Sequence, residues 1–234
     1  MTPDDLSVCQ PTQDSVVDRL PEIKSLDGRI RDEVTRIFTE EVPPYFWLVR
    51  SSEDYHPPDE RGLGGLWLHT KRVYTAYRFL EPTYRAMNRL GPYQATCARA
   101  AVLLHDAFKY GQQPADRSNG DDGDAPTHAY ANDLLAHLPQ YTVTDHDTEM
   151  VSFIESDTAL PDEVAWYVAS HGGSGDWYGH DGPTPSTGPE MIVHLADVFA
   201  TNMEHKLPVY EPTAGLERLV GSELPTISDD EWLQ

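Results

Sequence analysis

A chain of 234 residues is long enough to bury a substantial core, and its two cysteines, Cys9 and Cys97, are too few for a disulfide framework. The formal net charge is -22, from 39 acidic against 17 basic residues, and only Lys24, Lys71, Lys109 and Lys206 among the latter are lysine. No apolar run approaches the roughly 18 residues of a membrane span, and the acidic start MTPDDLSVCQ lacks the apolar stretch of a signal peptide, so a cytoplasmic protein is expected.

The charge admits two readings. One is an acid-faced protein that repels nucleic acid. The other is adaptation to concentrated salt, where the Debye length shrinks to about 3 Å. The acid is spread along the whole chain and lysine is scarce, which favours the halophilic reading. Screened in this way, the charge says little against a nucleic-acid substrate.

In chain order, residues 1 to about 25 read as a loosely ordered arm and 26–234 as one domain. From Asp27, a plausible N-cap, Ile30, Val34, Ile37 and Phe38 recur at helical spacing until Pro43 and Pro44 end the run. A loop carrying His56, Pro57 and Pro58 follows. The pattern then predicts a helix over about Leu66 to Leu80, with Pro82 just beyond it, and another over about Tyr93 to Phe108. Cys97 falls within the second as a small core residue. The stretch 112–126 is acidic, contains glycine and has no period, so it reads as a surface loop. Helices are expected near 127–138, 145–156 and 161–170. A Gly/Pro-rich stretch, 172–189, precedes a last clear helix over about Glu190 to Glu204. Nothing alternates at period two, so the fold class is all-α.

Chemistry concentrates in His69, the adjacent pair His105–Asp106, His128, His171 and Asp197. Imidazole and carboxylate donors without thiolate suit Mn, Fe, Co, Ni or Zn. Six such ligands exceed the needs of one open ion. They suit two divalent transition-metal ions about 3.5–4 Å apart, with Asp106 as the bridging carboxylate. Adjacent helical residues point about 100° apart, so His105 and Asp106 can serve one centre only on a helix flank or at a helix end. Lys109, three residues after Asp106, is placed to meet a phosphate, and Arg72, three after His69, is placed either for that or for a structural ion pair. His56 is either a substrate contact or an ordinary loop histidine. Trp177 either stacks on a base or pins its loop. His194 shares a helical face with Asp197 and reads as a support for the ligands. His137, His146, His180 and His205 read as solvent-exposed.

The segments GGLWLHTKRV (64–73), LLHDAFKYG (103–111), THAYANDLL (127–135), SHGG (170–173) and IVHLADVFATN (192–202) resemble, in this order, the H…HD…H…H…D form of the HD superfamily of metal-dependent phosphohydrolases. Within it the chain is similar to the HD domain of YhaM-type 3′–5′ exoribonucleases. That likeness rests on His56 ahead of Gly64–Gly65, on Ser170–His171–Gly172, on Trp177, on Pro185–Ser186–Thr187–Gly188–Pro189–Glu190, and on His194 with Asp197. It covers roughly residues 56 to 205. The segment SHHG of those enzymes is SHGG here, and the GYP tripeptide of the HD-GYP phosphodiesterases is absent.

The resemblance implies an HD-domain helical bundle around a metal site. His69, His105 and Asp197 would hold one ion, His128 and His171 the other, with Asp106 shared and Lys109 on the phosphate. The implied substrate is the 3′ end of single-stranded nucleic acid. A cyclic or linear dinucleotide, a dNTP or a nucleoside monophosphate is the alternative, and a nucleotide-binding module without turnover is the alternative of another class.

Overall fold

The computed structural model describes residues 12–42, 44–47, 51, 56–57, 60, 64–109, 146–173 and 183–206. Among them there is no strand, and the all-α expectation holds. The α-helices are α1 (Gln13–Arg19), α2 (Gly28–Arg36), α3 (Gly65–Ala86), α4 (Pro92–Leu104), α5 (His146–Asp157), α6 (Asp162–Ala169) and α7 (Gly188–Lys206). His128, Trp177 and the loop 112–126 lie outside the described residues.

Helix α4 sits at the centre because its sequence is narrow. Ala95, Cys97, Ala98, Ala100 and Ala101 are fully buried, and these small side chains let α3, α6 and α7 approach its axis. Pro92 starts α4 with a preset φ, and the Gln94 Oε1 accepts a hydrogen bond from the Gly91 backbone N–H at 2.9 Å. Helix α7 is opened by the Pro185–Glu190 segment, which forms a capping box. Glu190 Oε2 accepts from the Ser186 and Thr187 backbone N–H groups at 2.7 and 2.9 Å, and Thr187 Oγ1 accepts from the Glu190 N–H at 3.4 Å. Helix α7 then packs along α3.

Two expectations are corrected. The segment from Thr12 to Ser25 is not a loose arm. Thr12 Oγ1 caps α1 by accepting from the Ser15 N–H, and a 3-10 turn follows over Pro21–Ser25. Val16, Leu20 and Ile23, spaced four and three apart, are fully buried, and Arg19 O accepts from the Trp67 indole N–H at 3.1 Å. Helix α3 also runs through Pro82 to Ala86. Pro82 lies on the exposed side, where the missing N–H leaves a carbonyl open to water. Its buried neighbour Glu81 pins these turns to α4 through a two-pronged pair with Arg99, at 2.7 and 3.0 Å from Nη2.

The other boundaries that fall within the described residues agree with the sequence to within a few residues, and the helix expected near 127–138 lies outside them. α2 follows Asp27 and passes into a π-helical turn over Ile37–Glu41, ahead of Pro43 and Pro44. None of the described helices is long and apolar enough to cross a membrane.

Candidate metal centre

Four element ends and faces deliver the expected histidines and carboxylates to one buried region. His69 stands in the second turn of α3. His105 and Asp106 follow the last residue of α4, where the chain leaves the helix in a tight turn closed by Lys109 N–H to Asp106 O at 2.9 Å. Ending the helix at Leu104 removes the 100° conflict, so both members of the pair serve the same region. His171 lies in the turn just past α6, and Asp197 comes from α7. His69, His105 and Asp106 are each 1% exposed, and His171 is 5% exposed.

The atoms fall into two groups around one carboxylate. On the first side, His69 Nε2 and His105 Nε2 are 3.3 Å apart and stand 3.7 and 3.6 Å from Asp106 Oδ2. Asp197 Oδ1 is 3.1 Å from His69 Nε2. On the second side, Asp106 Oδ1 lies 3.0 Å from His146 Nε2 and 3.8 Å from His171 Nε2. Donors bound at about 2.0–2.2 Å to one ion sit about 3.0–3.5 Å apart, so this spacing suits a cation. His69–His105–Asp106 and Asp106–His146–His171 are each buried groups able to hold a metal ion.

Backbone and carboxylate partners fix which imidazole nitrogen faces inward. His105 Nδ1–H donates to Val102 O at 2.7 Å and His171 Nδ1–H to Val168 O at 2.8 Å. Each leaves an Nε2 lone pair turned toward Asp106, the tautomer a ligand needs. His194 Nδ1–H donates to the His171 carbonyl at 2.7 Å and so holds the turn that carries His171. Gly173 makes room for it. Its φ is +71°, and a Cβ there would lie 2.7 Å from the His194 ring. This gives the second glycine of SHGG a structural meaning.

Glu60 and the His146–Asp147 pair escaped the sequence reading. The Glu60 side chain is fully buried. Its Oε2 accepts from His69 Nδ1 at 3.1 Å and from His56 Nδ1 at 2.8 Å, while Oε1 accepts from Arg72 Nη1 at 2.9 Å. Gly65 abuts the Glu60 carbonyl so closely that a Cβ would fall 1.7 Å from it, and Gly64 takes the left-handed φ of +76° that caps α3, which together account for the Gly64–Gly65 pair. Arg72, 5% exposed, pairs with Glu60, which is the ion-pair alternative offered by its place three residues after His69. His56 is likewise buried and held by Glu60.

His146, expected to be exposed, is 7% exposed, because it shares the buried face of α5 with Met150 and Ile154 and meets Asp106 Oδ1 at 3.0 Å. The signal available in the sequence was a second His–Asp dipeptide, His146–Asp147, at a predicted helix start.

The electrostatics match a site built for cations. Burial works to lower the His69 pKa, but Glu60 and Asp197 overcome it and hold it up at about 10. Burial opposes charge on His146 too, yet Asp106 and Asp147 raise it to about 9. His105, whose burial outweighs the pull of Asp106, falls to about 4. Burial would raise the carboxylates. Instead Lys109 and the histidines hold Asp106 well below its usual range, and His69 does the same for Asp197. Lys109 Nζ donates to Asp106 Oδ2 at 2.8 Å, and its pKa is raised because that carboxylate outweighs burial. Without metal, protons on His69 and His146 and the Lys109 ammonium supply the positive charge this region demands.

Fold and site together define an all-α protein with buried histidine–carboxylate clusters that could hold metal ions. No protein-family model, curated protein or solved structure matches this chain.

Proposed function

We propose that the chain is a metal-dependent phosphohydrolase of the HD type, with two divalent ions sharing Asp106. One observation carries the reading: a single buried carboxylate is split between two imidazole pairs. Oδ2 faces His69 and His105, and Oδ1 faces His146 and His171. Oδ1 makes no well-formed hydrogen bond among the described residues, although His146 Nε2 lies 3.0 Å away, and a buried carboxylate oxygen left so is costly unless a cation meets it. His69, His105 and Asp197 would hold one ion. His146 and His171 would hold the other, with His146 in the place first assigned to His128.

Bound divalent ions supply Lewis acidity toward phosphate oxygens and make water a competent nucleophile near neutral pH. The residues of the chain do the rest. Glu60 orients His69, the Val102 and Val168 carbonyls orient His105 and His171, and Lys109, at the open edge of the cluster, neutralises the incoming phosphate. The phosphoester we favour is the 3′-terminal phosphodiester of single-stranded nucleic acid, by the sequence likeness of residues 56–205 to the exoribonuclease segments. Nucleoside 5′-monophosphates are the expected products.

The test is a panel. Protein reconstituted with Mn²⁺ in high salt is incubated with 5′-labelled RNA, single-stranded DNA, cyclic dinucleotides and dNTPs. A ladder shortening from the 3′ end is expected. Intact oligomers beside a hydrolysed nucleotide would transfer the assignment to that nucleotide. No hydrolysis of any member would reject the phosphohydrolase reading.

A further inference from the structure

The second side of the centre contains a carboxylate with no role so far. Asp147 is 7% exposed at the start of α5, next to His146. Its Oδ1 lies 2.7 Å from His146 Nε2 and 3.7 Å from His171 Nε2. Neither that oxygen nor Asp106 Oδ1 across the gap makes a well-formed hydrogen bond among the described residues, close as both lie to His146 Nε2. Two buried anionic oxygens and two imidazole nitrogens therefore converge on one small volume.

We propose that Asp147 is a metal ligand, completing with Asp106, His146 and His171 a second cation subsite that matches the first in composition. The argument rests on the two-ion reading above and goes one step further. The first subsite holds two imidazoles, its own carboxylate from Asp197, and the shared Asp106. With Asp147 the second holds the same set. The adjacent residues His146 and Asp147 reach one volume here, Asp147 Oδ1 lying 2.7 Å from His146 Nε2, and His146 Nε2 in turn lies 3.0 Å from Asp106 Oδ1 just past the end of α4. The His–Asp pairs 105–106 and 146–147 thus face each other.

Charge balance follows from the donor set. Asp106, Asp147 and Asp197 bring three negative charges against four from two divalent ions. The loaded centre keeps one positive charge for a substrate anion. Without Asp147 it would keep two. The second ion would then be held by two neutral imidazoles and half of a shared carboxylate, and it would exchange readily. Asp147 makes the second ion a resident one.

The rival role for Asp147 is structural: a plain ion pair that holds the His146 ring. Metal counting separates the two. Asp147→Asn keeps the shape and can still hydrogen-bond His146 but presents a neutral oxygen. Asp147→Ser removes the reach. Each variant and the wild type are loaded with Mn²⁺ and dialysed. Bound metal is then counted by elemental analysis, and ion–ion coupling is read by electron paramagnetic resonance.

We expect two ions and a coupled spectrum in the wild type. In both variants we expect one ion, an uncoupled spectrum and an affinity for the second ion at least ~100-fold weaker, beyond the ~10–100-fold typical of residues that merely orient a ligand. Circular dichroism confirms that the one-ion protein is folded, and Asp197→Asn should lose the other ion in a parallel experiment. Two tightly held, coupled ions in Asp147→Asn and Asp147→Ser would overturn the ligand role and leave the two-ion reading standing. One ion in the wild type itself would overturn both.

Discussion

Glu60 Oε2 accepts a hydrogen bond from His69 Nδ1 at 3.1 Å, and the other oxygen of the same buried carboxylate accepts from Arg72 at 2.9 Å. The first bond fixes His69 with its Nε2 toward Asp106 and strengthens it as a donor. The second makes the removal of Glu60 doubly costly. Glu60→Gln should keep the fold and lower metal affinity ~10–100-fold, as loss of a carboxylate behind a histidine ligand does. Glu60→Ala removes a charged partner of the buried Arg72 together with the acceptor of His56 and His69, and should destabilise by about 3–5 kcal/mol. Metal titration and thermal melting separate the two effects. Wild-type metal affinity in Glu60→Gln would show that His69 does not depend on this bond.

Lys109 holds Asp106 Oδ2 at 2.8 Å but presents an ammonium, which cannot ligate a metal while charged. Lys109→Ala should therefore retain bound metal and lose turnover, by about 10²-fold or more if it stabilises developing charge on phosphate. Asp106→Ala should disturb both ions together. The pair is read by metal counting beside the hydrolysis panel. Lys109→Ala with full activity would remove the phosphate role.

Protons and metal compete for the same nitrogens, and this fixes the sign of the pH dependence. In metal-free protein His69 and His146 have pKa values raised to about 10 and about 9. A raised folded pKa gives stability that is fully present below the unfolded value of about 6.5 and is lost as pH rises through the folded value. Glu60 and Asp147 are depressed to about 2, so their share is present above about 4.5 and lost as pH falls toward 2. His105, depressed to about 4, adds a share that is present above about 6.5 and lost as pH falls toward 4, so metal-free protein should melt highest near pH 6.5 and decline both toward acid and toward pH 10. Added Mn²⁺ must displace those protons, so the stabilisation it gives should grow with pH. Melting curves with EDTA and with Mn²⁺, in high salt to screen surface charge, test both slopes. A metal effect that shrank as pH rose would contradict ligation by these histidines.

Much of this was legible in the sequence where local pattern and tertiary role agree. The apolar run Ala95–Leu104 reads as a buried helix and is one, and His69, His105, Asp106, His171 and Asp197 are brought together as their order implied. Glu60 was not legible. It lies in a proline-rich stretch without period, and its burial depends on His56, His69 and Arg72 meeting it. His146 was legible in part, since Met150 and Ile154 follow it at spacings of four on one buried face, but its partner Asp106 comes from the far end of α4. Arg72 was read from its shared face with His69, which is correct, but a face does not reveal that Glu60 claims the guanidinium.

The net charge of -22 yields the remaining prediction. Exposed acids such as Glu149 and Glu155 on α5 face water, where their mutual repulsion reaches over a Debye length of about 30 Å at 0.01 M salt and only about 3 Å at 1 M. Buried pairs such as Glu81–Arg99 and Glu60–Arg72 are screened far less and should hold across this range. Melting temperature should therefore climb with salt through relief of surface repulsion alone. Replacing Glu149 and Glu155 by lysine should raise stability in dilute buffer and flatten the salt dependence, with little change at molar salt. Differential scanning calorimetry from 0.01 M to about 2 M salt reads both arms. A melting temperature equal or higher in dilute buffer would remove the high-salt interpretation of the composition, and the repulsion of nucleic acid by an acidic surface would then weigh against the nuclease reading.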